Sequence, residues 1–73
     1  MRDYYITIFY SEEDQGYIAD IPDLKNCSAF GYSPDEALKN VLQAKEAWIA
    51  AAKENNIKVP EPKYMPAIYH TVS

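Results

Sequence analysis

Two glycines, one cysteine, one histidine and one tryptophan are all that this 73-residue chain has of those residue types, and each scarcity excludes something. A single thiol, Cys27, closes no internal disulfide, and with His70 far along the chain it makes no ligand set of structural-zinc spacing. Gly16 and Gly31 alone cannot form a glycine-rich phosphate loop or a dinucleotide fingerprint. There is no signal-peptide pattern, no apolar run long enough to span a bilayer and no cysteine pair, so no membrane contact and a cytoplasmic location are expected. Cations are also sparse. Seven Lys and Arg against eleven Asp and Glu leave a net charge of -4, which argues against direct nucleic-acid binding, because that affinity rests on clustered cations neutralising phosphates. The acidity suits solubility, or a basic partner. One domain, residues 1–73, is expected. A core of this size supplies only about 3 to 5 kcal/mol, so small domains lean on disulfides, metals or association. With the first two excluded, a homo-oligomer (dimer or tetramer) or another protein partner is what remains.

What the sequence does contain is organised around residues 33–56. Ser33 offers a capping hydroxyl, Pro34 suits the first helical position, and Asp35 and Glu36 complement the positive end of the helix dipole, with Glu36 placed to close a capping box. At 100° per residue Ala37, Val41, Ala44, Trp48, Ala51 and Ala52 share one side of the helix and Leu38 borders it. Lys39, Asn40, Gln43, Glu46, Lys53 and Glu54 fall opposite. Leu42 and Ile49 lie beyond the edge, which widens the apolar stripe past what one small sheet needs to cover. Lys45 intrudes beside the stripe and is read as a stem on apolar surface with its ammonium in water.

Ahead of the helix, residues 4–10 are all β-branched or aromatic, alternating Tyr4, Ile6, Ile8, Tyr10 against Tyr5, Thr7, Phe9, the composition of a strand. Both faces are apolar or aromatic, so the one turned from the helix is expected to meet something as well. Residues 11–16 form an acidic hairpin loop with Gly16 at its exit, and residues 17–21 a second strand that Pro22 ends because proline donates nothing to a ladder. In the turn that follows, Asn26 is the residue best suited to a left-handed conformation. Residues 27–32 make a third strand with Cys27, Ala29 and Gly31 on its small face, which should lie under the helix where Val41 and Trp48 approach. Beyond a core at 3–59, a proline-containing linker at 60–63 leads to 64–73, a C-terminal strand or tail. From Ala67 on it has β composition, and Ala67, Ile68, Tyr69 and Val72 are the candidate oligomer contacts, either at the chain's own sheet edge or across to a second copy.

Candidate chemistry is thin. His70 stands in no motif with a serine, cysteine or carboxylate, and Cys27 lies among small residues without a cation or helix start to activate it. The adjacent acids Glu12, Glu13 and Asp14 of the hairpin loop are read as solvated rather than metal-binding. Asp35, Glu36 and Asp23 are explained by cap and turn, leaving Asp20 as the only acid within a strand. No catalytic residue, cofactor or metal is expected.

Gly16-Tyr17, then Pro22-Asp23-Leu24, Cys27, Gly31, and Ser33 followed by Glu36-Ala37 resemble the signature of the HicB-like antitoxin family, departing from it where Lys25-Asn26 replace the usual Pro-Gly. The resemblance implies an α+β fold of order β-β-β-α-β, an antiparallel three- to four-stranded sheet packed on one long helix, described as partial ribonuclease-H-like. It implies binding and masking of a small basic HicA-type RNA-cleaving toxin. Many relatives carry a further DNA-binding domain; the sequence given stops short of one, so operator binding is not expected. Two-metal nuclease chemistry needs converging carboxylates, one of them inside the first strand, and residues 4–10 contain none. The partner-binding residues expected are Tyr5 and Phe9 on the spare face of the first strand, Glu12, Glu13 and Asp14 in the loop, and Asp20. The alternative is a self-associating or small-ligand-binding module with no toxin.

Overall fold

The computed structural model of the chain describes residues 3–63. Its order is β1 (Thr7–Ser11), β2 (Gly16–Asp20), β3 (Ser28–Gly31) and α1 (Pro34–Glu54). The strands form one antiparallel sheet in the order β1-β2-β3 with α1 across one face. This is the α+β arrangement expected. The proposed strand and oligomer contacts at 64–73 lie outside the described residues.

Strand ends follow the availability of partners. Thr7 pairs with Asp20, and beyond Asp20 the second strand turns away at Pro22, so residues 4–6, expected as strand, do not pair with β2 and stay outside the β1–β2 ladder. At the other end β2 begins one residue early, because Gly16 pairs with Ser11. Ile21, Leu24 and Cys27 close the β2–β3 connection on themselves: the Ile21 N–H donates to the Cys27 carbonyl at 3.0 Å, Leu24 N–H to Ile21 and Cys27 N–H to Leu24, both at 3.1 Å. Cys27 therefore belongs to this loop rather than to β3. Asn26 takes the left-handed conformation at φ 61°, as its side chain suggested.

The core is Ala19, Ile21, Leu24, Cys27, Ala37 and Val41, with Tyr4, Ile6, Tyr17, Ala29, Ala44 and Trp48 packed around it. The small face of the third strand does lie under the helix, but the closest approach is made by Ala37 rather than by Val41 or Trp48. A Cβ on Gly31 would stand 2.2 Å from the Ala37 nitrogen, so only a glycine lets the helix start sit on the strand. Ala51, assigned to the buried stripe, is exposed, whereas Ala52 beside it is buried.

Both helix ends carry their own stop signals. Ser33 Oγ accepts from the Glu36 N–H at 3.2 Å, while the Glu36 carboxylate reaches one residue further back than a capping box requires and accepts from the Tyr32 N–H. At the C-terminus Asn56 is left-handed at φ 57°. The Asn56 N–H donates to Lys53 at 3.3 Å and the Ile57 N–H to Ala52 at 2.8 Å, the paired bonds of a Schellman motif. The following segment is held too: Tyr4 donates its hydroxyl to the Pro60 carbonyl, and the Lys63 N–H donates to Asp23 Oδ2 at 3.0 Å.

Candidate protein-binding surface

Residues opposite one another in an antiparallel pair point to the same side of the sheet, so the register assigns the faces. Ala19, which is buried under α1, pairs with Ile8 and Ala29. The neighbouring rows therefore point away from the helix. Phe9, Ile18 and Phe30 form one such row across all three strands, and Thr7, Asp20 and Ser28 form the next. Tyr5 continues the alternation before β1, on the side opposite the core-packed Tyr4 and Ile6.

No other element among the described residues covers this outer face. Phe9 is 52 % exposed, and Ile18, Phe30, Tyr5 and Asp20 are half-buried by their neighbours. Phe30 meets Tyr32 edge to face with ring centroids 5.0 Å apart, and Tyr32 itself is 79 % exposed. Gly16 makes room for this arrangement, since a Cβ there would lie 2.3 Å from the Phe30 ring. The residue at the hairpin exit with positive φ is Gln15, at 53°, so the glycine after it is required by the ring above it. An apolar strip flanked by polar groups is the composition of a protein-binding surface.

Acids stand at both borders of the strip. Asp20 is one row away from Phe9, and Glu12, Glu13 and Asp14 are exposed on the loop that joins β1 to β2. Ser11 Oγ donates to Asp14 Oδ2 at 2.9 Å and accepts from the Asp14 N–H at 3.4 Å, which fixes the start of that loop. The six residues singled out in the sequence thus fall on one face and the loop at its end. Ile18, Phe30 and Tyr32 belong with them and were not among them. Counting the alternation through the Ser11–Gly16 pair is the signal that finds them.

Cys27, Tyr4, Lys45 and Asp3 have structural roles. The Cys27 thiol is buried, and burial followed by the nearby Asp20 charge pushes its pKa up, which keeps it protonated and inert. Tyr4 is likewise pushed up, first by burial and then by the Asp23 charge. Lys45 is not a free ammonium over the stripe: its Nζ lies 3.4 Å from Asp3 Oδ1, and its side chain is 19 % exposed. The Asp3 carboxyl is held below its ordinary value by the Tyr4 backbone N–H and then by Lys45. Among the described residues no group of three or more His, Cys, Asp or Glu could hold a metal ion, and no helix is long and apolar enough to cross a membrane.

Residues 4–72 match the sequence model of the HicB-like antitoxin of bacterial toxin-antitoxin systems, and the chain belongs to that family. It is similar to UPF0150 protein Ta0767 of Thermoplasma acidophilum, 36 % identical over 56 residues that cover 77 % of this chain and 81 % of the relative. It is also similar to UPF0150 protein ssl0259 of Synechocystis, 32 % identical over 56 residues covering 77 % of each chain. No solved structure matches it at comparable significance. Membership implies a toxin partner in general terms.

Proposed function

We propose that this protein is a cytoplasmic, homo-oligomeric antitoxin that acts by binding, without catalysis, and that its partner is a small basic HicA-type toxin. The observation that carries this reading is the row of Phe9, Ile18 and Phe30, covered by no other element among the described residues and bordered by Asp20 and the acidic loop. Such a toxin must present cations where it grips RNA phosphates. Acids at the borders of an apolar strip attract and orient those cations, and the aromatic side chains supply the contact area from which water is expelled. Masking is then steric: the surface that would hold RNA is occupied by protein.

The test is co-expression with the small basic protein encoded beside this chain's gene. Growth rescue and a co-purifying complex are expected with the unaltered chain. Phe9→Glu should abolish both while leaving the helical signal in circular dichroism intact. Reversal of Glu12, Glu13 and Asp14 to lysine should weaken the complex and remove its salt dependence. A complex indifferent to both changes refutes the assignment of this face.

A further inference from the structure

Among the described large apolar side chains Tyr32 is the most exposed, at 79 %, and no local duty accounts for its ring. A residue just before an N-cap ordinarily packs on the fourth helical residue. Here that residue is Ala37, which is already buried against Gly31. The Tyr32 ring turns instead to the outer face of the sheet, edge to face with Phe30 at an interplanar angle of 87°. Its main chain is fixed at the same time, because the Tyr32 N–H donates to Glu36 Oε1. Glu36 Oε2 has no partner among the described residues. Ring and carboxylate stand one residue beyond the last β2–β3 pair, Tyr17–Gly31, at the end of the sheet where Ser11 and Gly16 bracket the acidic loop at 12–14. Asp35, exposed in the first turn of α1, lies at the same end. Among the described residues Lys39 makes no ion pair with Asp35 or Glu36, so the chain itself does not neutralise this corner.

We propose that Tyr32 and Glu36 seat one arginine of the basic partner, its guanidinium stacked on the Tyr32 ring and donating to Glu36 Oε2. Three kinds of side chain could meet the corner, and only one answers both groups in it. An apolar residue would cover the ring and strand the carboxylate. A lysine ammonium would reach the carboxylate, but it is a compact, strongly hydrated charge with no plane to lay on a ring. A guanidinium stacks on an aromatic face and still directs its N–H groups sideways to an acceptor. The Phe30 contact and the bond to Glu36 already hold the ring and its main chain, which leaves less for the partner to order on binding. Glu12, Glu13, Asp14 and Asp35 around the seat draw the cation toward it. The inference rests on the reading of the outer face as a surface that meets a basic protein, and adds the group by which that partner is recognised.

Capped hexa-arginine and capped hexalysine, titrated into the full chain while its backbone and Tyr32 ring resonances are followed, test it at equal probe charge. Hexa-arginine should bind about five- to thirtyfold more tightly than hexalysine, the range of a cation over an aromatic face, and should shift Tyr32 and Glu36. Tyr32→Leu keeps an apolar side chain and loses the ring; it should bring both peptides to the hexalysine affinity, while Tyr32→Phe keeps the preference. Glu36→Gln, which retains an acceptor for the Tyr32 N–H, should weaken hexa-arginine more than hexalysine. Equal affinity for the two peptides, no binding of either, or an arginine preference that survives Tyr32→Leu overturns the proposal. The peptides stand apart from the toxin, so such a failure leaves growth rescue and the co-purifying complex to decide the wider reading by themselves.

Discussion

Gly31→Ala puts a single methyl group between β3 and the start of α1. Its Cβ would stand 2.2 Å from the Ala37 nitrogen and 2.7 Å from both the Ala37 Cα and the Glu36 carbonyl carbon. All three neighbours are backbone, held by the Ser33 cap and the first helical turn, so no rotamer change relieves the contact; the helix must lift off the strand. Overpacking typically costs about 1 to 3 kcal/mol, and a clash against main chain on this scale belongs at the upper end. A domain of this size loses roughly 4 to 8 °C of melting temperature per kcal/mol, so a fall of roughly 12 to 24 °C is expected in a thermal melt followed by circular dichroism. Gly16→Ala is the internal control. Its Cβ would meet the Phe30 ring at 2.3 Å and the Gly31 carbonyl at 2.9 Å. The Phe30 ring can swing aside and only the Gly31 carbonyl is main chain, so the cost should be smaller than that of Gly31→Ala, about 1 to 2 kcal/mol in the overpacking range. A Gly31→Ala protein within about 0.5 kcal/mol of the parent, the band of ordinary surface substitutions, would refute the account of how the helix is seated.

Other perturbations probe separate parts of the structure. Ser33→Ala removes the acceptor for the Glu36 N–H and should lower stability by about 1 kcal/mol in urea titration, the usual effect of losing an N-cap. Because the Tyr4 hydroxyl has its pKa raised above 10.0 in the folded chain, its contribution is fully present below that pH and is lost as pH rises through the higher folded value; Tyr4→Phe should flatten that alkaline loss. Asp3 has the opposite sign. Its folded pKa lies below 3.8, so its contribution is present above that pH and is lost as pH falls through the lower folded value. At 77 % exposure the effect should be small, and high salt should suppress it further. The Cys27 thiol should react with a disulfide reagent only as fast as the chain opens, and addition of urea should accelerate labelling in step with unfolding.

How much of this was legible in the sequence divides along a physical line. The helix was, because Ser33, Pro34 and Glu36 are cap chemistry that acts within a few residues, and because its stripe has a period that no strand shares. The ends of the strands were not, because they depend on partners: residues 4–6 have β composition, yet the β1–β2 ladder starts only at Thr7 because β2 ends at Asp20. Leu24 was read as part of a turn, yet it is buried as deeply as the strand residues, since the loop folds back under the helix with Cys27. Gly16 was read as a loop exit, whereas its use is to leave space for Phe30, a contact between strands that no local pattern encodes. The acids and Phe9 stood out by type, but their neighbours Ile18 and Phe30 become part of the surface only once the register is known.

The proposed role rests on which face of the sheet meets another protein. Backbone resonances of the chain, followed as the proposed basic toxin partner is titrated in, report that directly. The account predicts that shifts and exchange protection concentrate at Phe9, Ile18, Asp20, Phe30 and the 12–14 loop, and that Leu38 and Leu42 on the helix flank do not respond. Perturbations confined to the helix, with the outer row unchanged at saturation, would contradict it.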